Sequence, residues 1–188
     1  MQPLFCAVFA ILAALATSFN ARADIYSVDR YFTQGTSSAT LTGTVGIPEG
    51  NYTITDESAS PFTSVNLTLT VNGTPYNLNL AFNYINTGTG QFLVDATSTT
   101  LTFNTADGNI SNPADLVFSD NTNPATTDRY VIGYDAAPGF EAAYTVTASF
   151  AVSTTLPTVF GTAVPEPATL ALAGLGSLSM LFLRRQKS

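Results

Sequence analysis

Carboxylates are the main residues of this 188-residue chain that could carry chemistry, because it contains no His, no Trp and a single Cys. Without imidazole, a Ser-His-Asp triad and a His-ligated metal are impossible. The one thiol, Cys6, lies in an apolar N-terminal run, so cysteine-based catalysis is not expected in the folded part of the chain. No Gly-x-Ser-x-Gly nucleophile motif is present. We therefore predict that the protein is not an enzyme.

Two carboxylates at a set separation could still hydrolyse a glycosidic bond. Asp56 and Glu57 are adjacent, but they stand in a predicted turn before Pro61. Nothing in the sequence marks either of them as having a raised pKa. Solvated loop carboxylates explain the pair without catalysis, and a hydrolase that uses only Asp and Glu stays an alternative.

The loops also contain hard oxygen ligands of the kind that Ca²⁺ prefers, with Asp107, Asn109 and Asp120 as the candidates. Their spacing does not match the Asp-x-Asp-x-Asp-Gly pattern of an EF-hand loop. The Asp107-Gly108-Asn109 segment is equally typical of an ordinary turn. No metal and no cofactor are therefore predicted, and these three residues remain the candidates for a calcium site.

Aromatic and amide side chains on one predicted hairpin strand could form a carbohydrate-binding face. They are Tyr76, Asn77, Asn79, Asn83 and Tyr84. A polar outer face of a sheet explains the same alternation without a ligand. A module that binds carbohydrate or calcium is thus the alternative to the function inferred below.

Acidic residues dominate residues 24–163, where two arginines stand against twelve Asp and Glu and the formal net charge is −10. The arginines are Arg30 and Arg129. A basic patch for phosphate contacts is missing, so no nucleic-acid partner is expected. The charge also disfavours anionic surfaces.

Residues 24–163 alternate with period 2 in Thr, Val, Leu and aromatic side chains, which predicts half-buried β-strands. The predicted strands cover residues 40–47, 51–55, 65–71, 76–82, 91–94, 99–103, 116–118, 129–134 and 143–152. Such short strands between turn residues predict an all-β fold, an antiparallel β-sandwich of jelly-roll-like type. A domain of about 140 residues can bury an adequate core without disulfides.

The Asn72-Gly73 pair gives the most specific local prediction, a two-residue hairpin turn. Both residues accept the positive φ that a type I′ turn requires. The alternation then places one apolar face on each strand, consisting of Val65, Leu67, Leu69 and Val71 before the turn and Leu78, Leu80 and Phe82 after it.

Residues 1–23 have the order of a secretory signal peptide. An uncharged apolar run over residues 3–19 precedes the small-x-small pair Ala21 and Ala23, a signal peptidase site that would leave Asp24 as the new N-terminus. The segment before the run departs from the pattern because it contains no Lys or Arg. An uncleaved N-terminal anchor is the alternative.

Residues 164–188 have three parts. The first part consists of Val164 and Pro165-Glu166-Pro167. The second is an uncharged run over residues 168–183, and the third is the basic tail 184–188, which contains Arg184, Arg185 and Lys187. As a helix the run would span about 24 Å, somewhat short of the ~30 Å hydrocarbon core, a mismatch that a bilayer can absorb. The cations favour a cytoplasmic C-terminus, so we predict a single transmembrane helix with a stop-transfer cluster.

This three-part segment resembles the PEP-CTERM sorting signal of exosortase substrates, over about 25 residues. The resemblance implies that Pro165, Glu166 and Pro167 form a recognition box, processed by an exosortase-type membrane transpeptidase. It also implies a bacterium that makes extracellular polysaccharide, which could be a further partner. The two prolines fit that role, since they resist helix formation and keep the box extended.

We therefore expect an exported bacterial protein of the cell envelope or extracellular matrix. Signal peptidase would remove residues 1–23, residues 24–163 would fold outside the inner membrane, and the C-terminal helix would anchor the chain until exosortase acts. Permanent anchoring by the same helix, without processing, is the alternative fate of the tail.

Overall fold

Thirteen β-strands and no helix are formed by the residues that the computed structural model describes, which are 24–55, 60–84, 91–105, 114–120, 128–134 and 139–164. The first seven strands are β1 (Asp24–Gln34), β2 (Ser37–Ile47), β3 (Gly50–Ile54), β4 (Ser64–Val71), β5 (Thr74–Leu78), β6 (Leu80–Tyr84) and β7 (Phe92–Ala96). The others are β8 (Thr100–Thr105), β9 (Ala114–Ser119), β10 (Arg129–Tyr134), β11 (Phe140–Tyr144), β12 (Ser149–Ser153) and β13 (Thr158–Ala163).

The described strands form two antiparallel sheets. Eight strands lie in the order β3-β7-β8-β13-β1-β2-β4-β5, and five lie in the order β12-β11-β10-β9-β6. The all-β prediction is confirmed, as is its antiparallel pairing. The jelly-roll-like label stays a prediction, and the predicted signal peptide and C-terminal helix lie outside the described residues.

Aromatic side chains from both sheets meet in one core, so the sheets pack face to face. The Phe160 ring of the larger sheet stacks on Phe103 of the same sheet at 4.3 Å between ring centroids. It also stacks on Phe118 of the smaller sheet at 5.3 Å. These rings are fully buried, and they join the two sheets into the sandwich-like domain that the sequence predicts.

The Asn72-Gly73 hairpin forms as predicted. Asn72 and Gly73 have φ values of 49° and 86°, and Val71 pairs with Thr74 across the turn. The Asn72 side chain adds a bond that the sequence did not predict, since its Oδ1 accepts from the Ser38 backbone N–H at 2.9 Å. This bond ties the hairpin to the neighbouring strand β2.

The predicted strand 76–82 is in fact two strands that belong to different sheets. It divides at Asn79, whose backbone N–H donates to Ser119 O at 3.0 Å in the smaller sheet. Leu78 is buried as predicted, whereas Leu80 is 36% exposed, because the chain changes sheets between them. The predicted strand 143–152 is also two strands, but β11 and β12 pair in the same sheet, and Thr145 N donates to Ala148 O in the tight turn between them.

Gly43 allows β2 to lie close to β4. Its φ is +130°, and a Cβ there would overlap the backbone oxygen of Asn66 and lie 3.0 Å from Leu67 Cα. We expect Gly43→Ala to lower the free energy of unfolding by about 2–4 kcal/mol, from strain and overpacking together. The measurement is urea unfolding followed by circular dichroism.

Gly35→Ala is the matched control, because Gly35 also has a positive φ (+62°) but nothing lies within 4 Å of its Cβ position. It should cost about 1–2 kcal/mol, the backbone strain alone. Equal losses in the two variants would contradict the close approach at Gly43.

Candidate functional site

The recognition box and the predicted signal peptidase site both lie outside the described residues, as do Arg184, Arg185 and Lys187. The residue that adjoins each segment is described, however. Asp24 follows the predicted peptidase site, and Val164 precedes the box. The described part of the candidate site therefore consists of the residues next to these two segments.

The first and the last described residues of the chain meet at one end of the larger sheet. Strand β1 begins at Asp24 and β13 ends at Ala163, and the two strands pair antiparallel with Tyr26 opposite Ala163. The pairing extends one residue further, because Val164 N donates to Ile25 O at 2.7 Å. We call this end, with Asp24, Ile25, Val164 and the turn 97–99, the tail-exit end.

The turn 97–99 holds β13 from its other side. Ala163 N donates to Thr99 O at 2.9 Å. The Tyr26 hydroxyl donates to Thr97 O at 2.6 Å and so joins β1 to the same turn. Since β13 lies between β8 and β1, regular hydrogen bonding reaches to within one residue of the Pro165-Glu166-Pro167 box.

The tail-exit end is negatively charged. The pKa of Tyr26 is raised from its usual value near 10 to about 12, mainly by burial, with smaller contributions from Asp24, Glu49, Tyr52 and Asp95. Arg30, the nearest cation along β1, is six residues from Asp24, about 20 Å along the strand. Carboxylates therefore set the charge of this end.

The raised pKa of Tyr26 predicts a loss of stability at alkaline pH. The folded state favours the protonated phenol, so this contribution is complete below pH ~10 and is lost as pH rises through about 12. We expect the free energy of unfolding to fall over this window in the parent chain. In Tyr26→Phe the fall should be shallower, from a lower starting value because the bond to Thr97 is lost. Urea unfolding at several pH values measures both curves.

Tyr31→Phe is the control, since Tyr31 is 69% exposed. Its curve should follow that of the parent. Identical alkaline slopes for Tyr26→Phe and the parent would contradict the assignment to Tyr26.

A buried ion pair joins the two sheets. The Arg30 Nη2 of β1 donates to Glu141 Oε1 of β11, and the side chains are 19% and 5% exposed. Arg30 Nη1 also donates to Val159 O at 3.0 Å, and the Thr154 hydroxyl donates to the same Glu141 oxygen at 3.1 Å. Burial raises the pKa of the neighbouring Tyr130, and Arg30 partly offsets that rise.

Sequence analysis missed this pair, although a signal was present. Arg30 occupies an inward position of β1, in phase with Tyr26, Val28 and Phe32. A cation in an otherwise apolar face requires a buried partner. Strand β1 was not predicted from the sequence, so the inward position of Arg30 in it was not recognised.

The structure describes the other sequence-based candidates only in part. Asp120 is exposed, Asp107 and Asn109 lie outside the described ranges, and in the described part of the chain no three metal-ligating side chains cluster. The predicted carbohydrate face is divided, because Tyr76 and Asn77 lie in the larger sheet and residues 83–84 in the smaller one. Tyr76 instead has its hydroxyl 3.5 Å from that of Thr147.

Comparison with protein families matches residues 163–186 to the family described as the PEP-CTERM protein-sorting motif. The match begins at the last residue of β13 and contains the recognition box. Neither curated proteins nor solved structures gave a match to the chain. Over the residues that the structure describes, no helix is long and apolar enough to cross a membrane, and the predicted span 168–183 lies beyond them.

Proposed function

We propose that this chain, which ends in a PEP-CTERM protein-sorting motif, is an exported bacterial protein that an exosortase-type transpeptidase processes and delivers to the cell envelope or extracellular matrix. The observation that carries the proposal is the match over residues 163–186, which starts at the last residue of β13. On this proposal the protein is a substrate of sorting and not an enzyme.

Each part of the tail has a physical role in the proposal. Pro165-Glu166-Pro167 stays extended for the enzyme, because proline fixes φ and lacks an N–H donor. The run 168–183 anchors the chain in the inner membrane, and the cations Arg184, Arg185 and Lys187 hold it there. Extracellular polysaccharide is a candidate acceptor or neighbour of the processed protein.

The limits of the fold support processing at both ends. Signal peptidase cleavage after Ala23 would leave Asp24, the first residue of β1. Cleavage at the box would leave all the described strands intact, because β13 ends at Ala163. Cleavage between Ala163 and Val164 would instead remove the bond from Val164 N to Ile25 O. Both proposed cleavages would therefore leave the described strands whole.

The alternative is a carbohydrate- or calcium-binding module that the C-terminal helix anchors permanently. It contains the same sandwich and differs in the fate of the tail. Glycan arrays and calcium-dependent melting would test for a ligand, and a shift in either would support a binding role.

Mass spectrometry of the mature protein from the bacterium that makes it tests the proposal. We expect an N-terminus at Asp24 and a C-terminus within or next to Pro165-Glu166-Pro167. A chain that still ends at Ser188 in the membrane fraction would overturn processing and favour permanent anchoring.

A further inference from the structure

The distance from the folded domain to the membrane is limited by chain length. Three residues separate Val164 from Ala168, where the predicted span begins. Fully extended, the backbone from Val164 to Ala168 covers at most about 14 Å. Each headgroup layer is about 5–8 Å thick, so Val164 can lie only roughly 6–9 Å beyond the headgroups.

Val164 cannot approach the membrane alone, because it belongs to the sheet. Its bond to Ile25 and the bond from Ala163 to Thr99 fix it to β1 and to the turn 97–99. The side chains at this point are apolar and accessible, since Ile25 is 49% and Val164 is 43% exposed. The whole tail-exit end must therefore follow Val164 to the bilayer.

We propose that the tail-exit end lies against the lipid headgroups for as long as the tail is attached, with Ile25, Val164 and the turn 97–99 at the contact. This inference rests on the proposed function, because it requires the tail to be in the membrane. The opposite end of the sheet, at the β1–β2 turn, then lies about 33 Å further out, the length of the eleven-residue strand β1.

The negative charge of the tail-exit end indicates that this end does not bind the membrane by itself. The short connection between Val164 and the predicted span, which we call the tether, imposes the contact. Asp24, Glu49 and Asp95 surround Tyr26 at the tail-exit end, and the two arginines of residues 24–163 lie elsewhere. Anionic lipids therefore repel this end. The contact should disappear once the tail is cut or lengthened.

Single labels at the two ends test the proposal. After removal of residues 1–23 the chain contains no cysteine, and Cys6→Ser secures this in any precursor. Ser98→Cys labels the tail-exit end, and Thr36→Cys labels the opposite turn at a residue that is likewise exposed. Each tail-bearing chain carries an environment-sensitive fluorophore and is reconstituted in phosphatidylcholine vesicles whose headgroups bear a spin-label quencher.

We expect at least a twofold loss of fluorescence at residue 98 and little change at residue 36. A 20-residue Gly-Ser spacer between Val164 and Pro165 should abolish the difference. Equal quenching of both labels in a chain that floats with the vesicles would overturn the inference alone. Preferential quenching at residue 98 that survives the spacer would overturn the role of the tether. A chain that does not float would overturn the membrane anchor of the proposed function, and the inference with it.

Discussion

A chain in which Pro165, Glu166 and Pro167 are all replaced by Ala is expected to keep its C-terminus at Ser188 and to stay in the membrane fraction. Alanine removes both restrictions on φ and restores the N–H donors, so the predicted helix can extend toward Val164. The enzyme then meets a helical segment instead of an extended one. We expect processing to fall at least a hundredfold, as measured by intact mass and cell fractionation.

Glu49→Ala provides the matched control. Glu49 is an exposed carboxylate at the tail-exit end, but it lies outside the sorting motif. This variant should be processed as the parent is. Normal processing of the triple variant would contradict the role of the box, and a defect in Glu49→Ala would show that the enzyme also depends on the folded domain.

The second large effect is expected at the ion pair between the sheets. Arg30→Ala removes the cation that pairs with Glu141, whose side chain is only 5% exposed in the parent protein. Removal of one partner from a buried pair typically costs about 3–5 kcal/mol, and we expect a loss of this size in the free energy of unfolding. Urea unfolding of the purified domain measures it.

Two further variants separate the ion pair from mere packing. Arg30→Met with Glu141→Leu replaces both charges by apolar groups of similar size, and it should recover most of the lost stability. Arg129→Ala removes the other arginine of the domain, whose guanidinium lies 4.4 Å from the centre of the Tyr144 ring. That change should cost only about 0.5–1 kcal/mol.

A double variant as unstable as Arg30→Ala would contradict the role assigned to the ion pair. The loss in the free energy of unfolding would then reflect packing around residue 30. Equal losses for Arg30→Ala and Arg129→Ala would contradict it too, since burial would make no difference between the two arginines.

The sequence predicts correctly those parts of the fold that depend on residues close together along the chain. The Asn72-Gly73 turn and the buried face of β4 follow from two turn residues and a clean alternation. Strand β1 was missed because Asp29 and Arg30 interrupt its apolar pattern, and the partner that makes Arg30 tolerable is 111 residues away. The change of sheet at Asn79 was missed because the alternation continues through it.

The candidate site likewise has one part that the sequence predicts and one part that it does not. The sorting motif is a contiguous segment, so it could be recognised from the sequence, and the family comparison confirms the motif over residues 163–186. The convergence of the two chain ends could not be recognised, because it depends on the pairing of Tyr26 with Ala163. No pattern within either strand specifies a partner so distant along the chain.

The central position of β13 has a consequence for folding if the chain is exported as proposed. A chain that crosses the membrane from its N-terminus would bring β1 and β8 outside well before residues 158–163. Until then both strands present unpaired edges, and the place of Phe160 in the core is empty. On the proposed function, the last strand would close the sheet as the sorting segment reaches the membrane, so that completion of the fold and readiness for processing would be nearly simultaneous events.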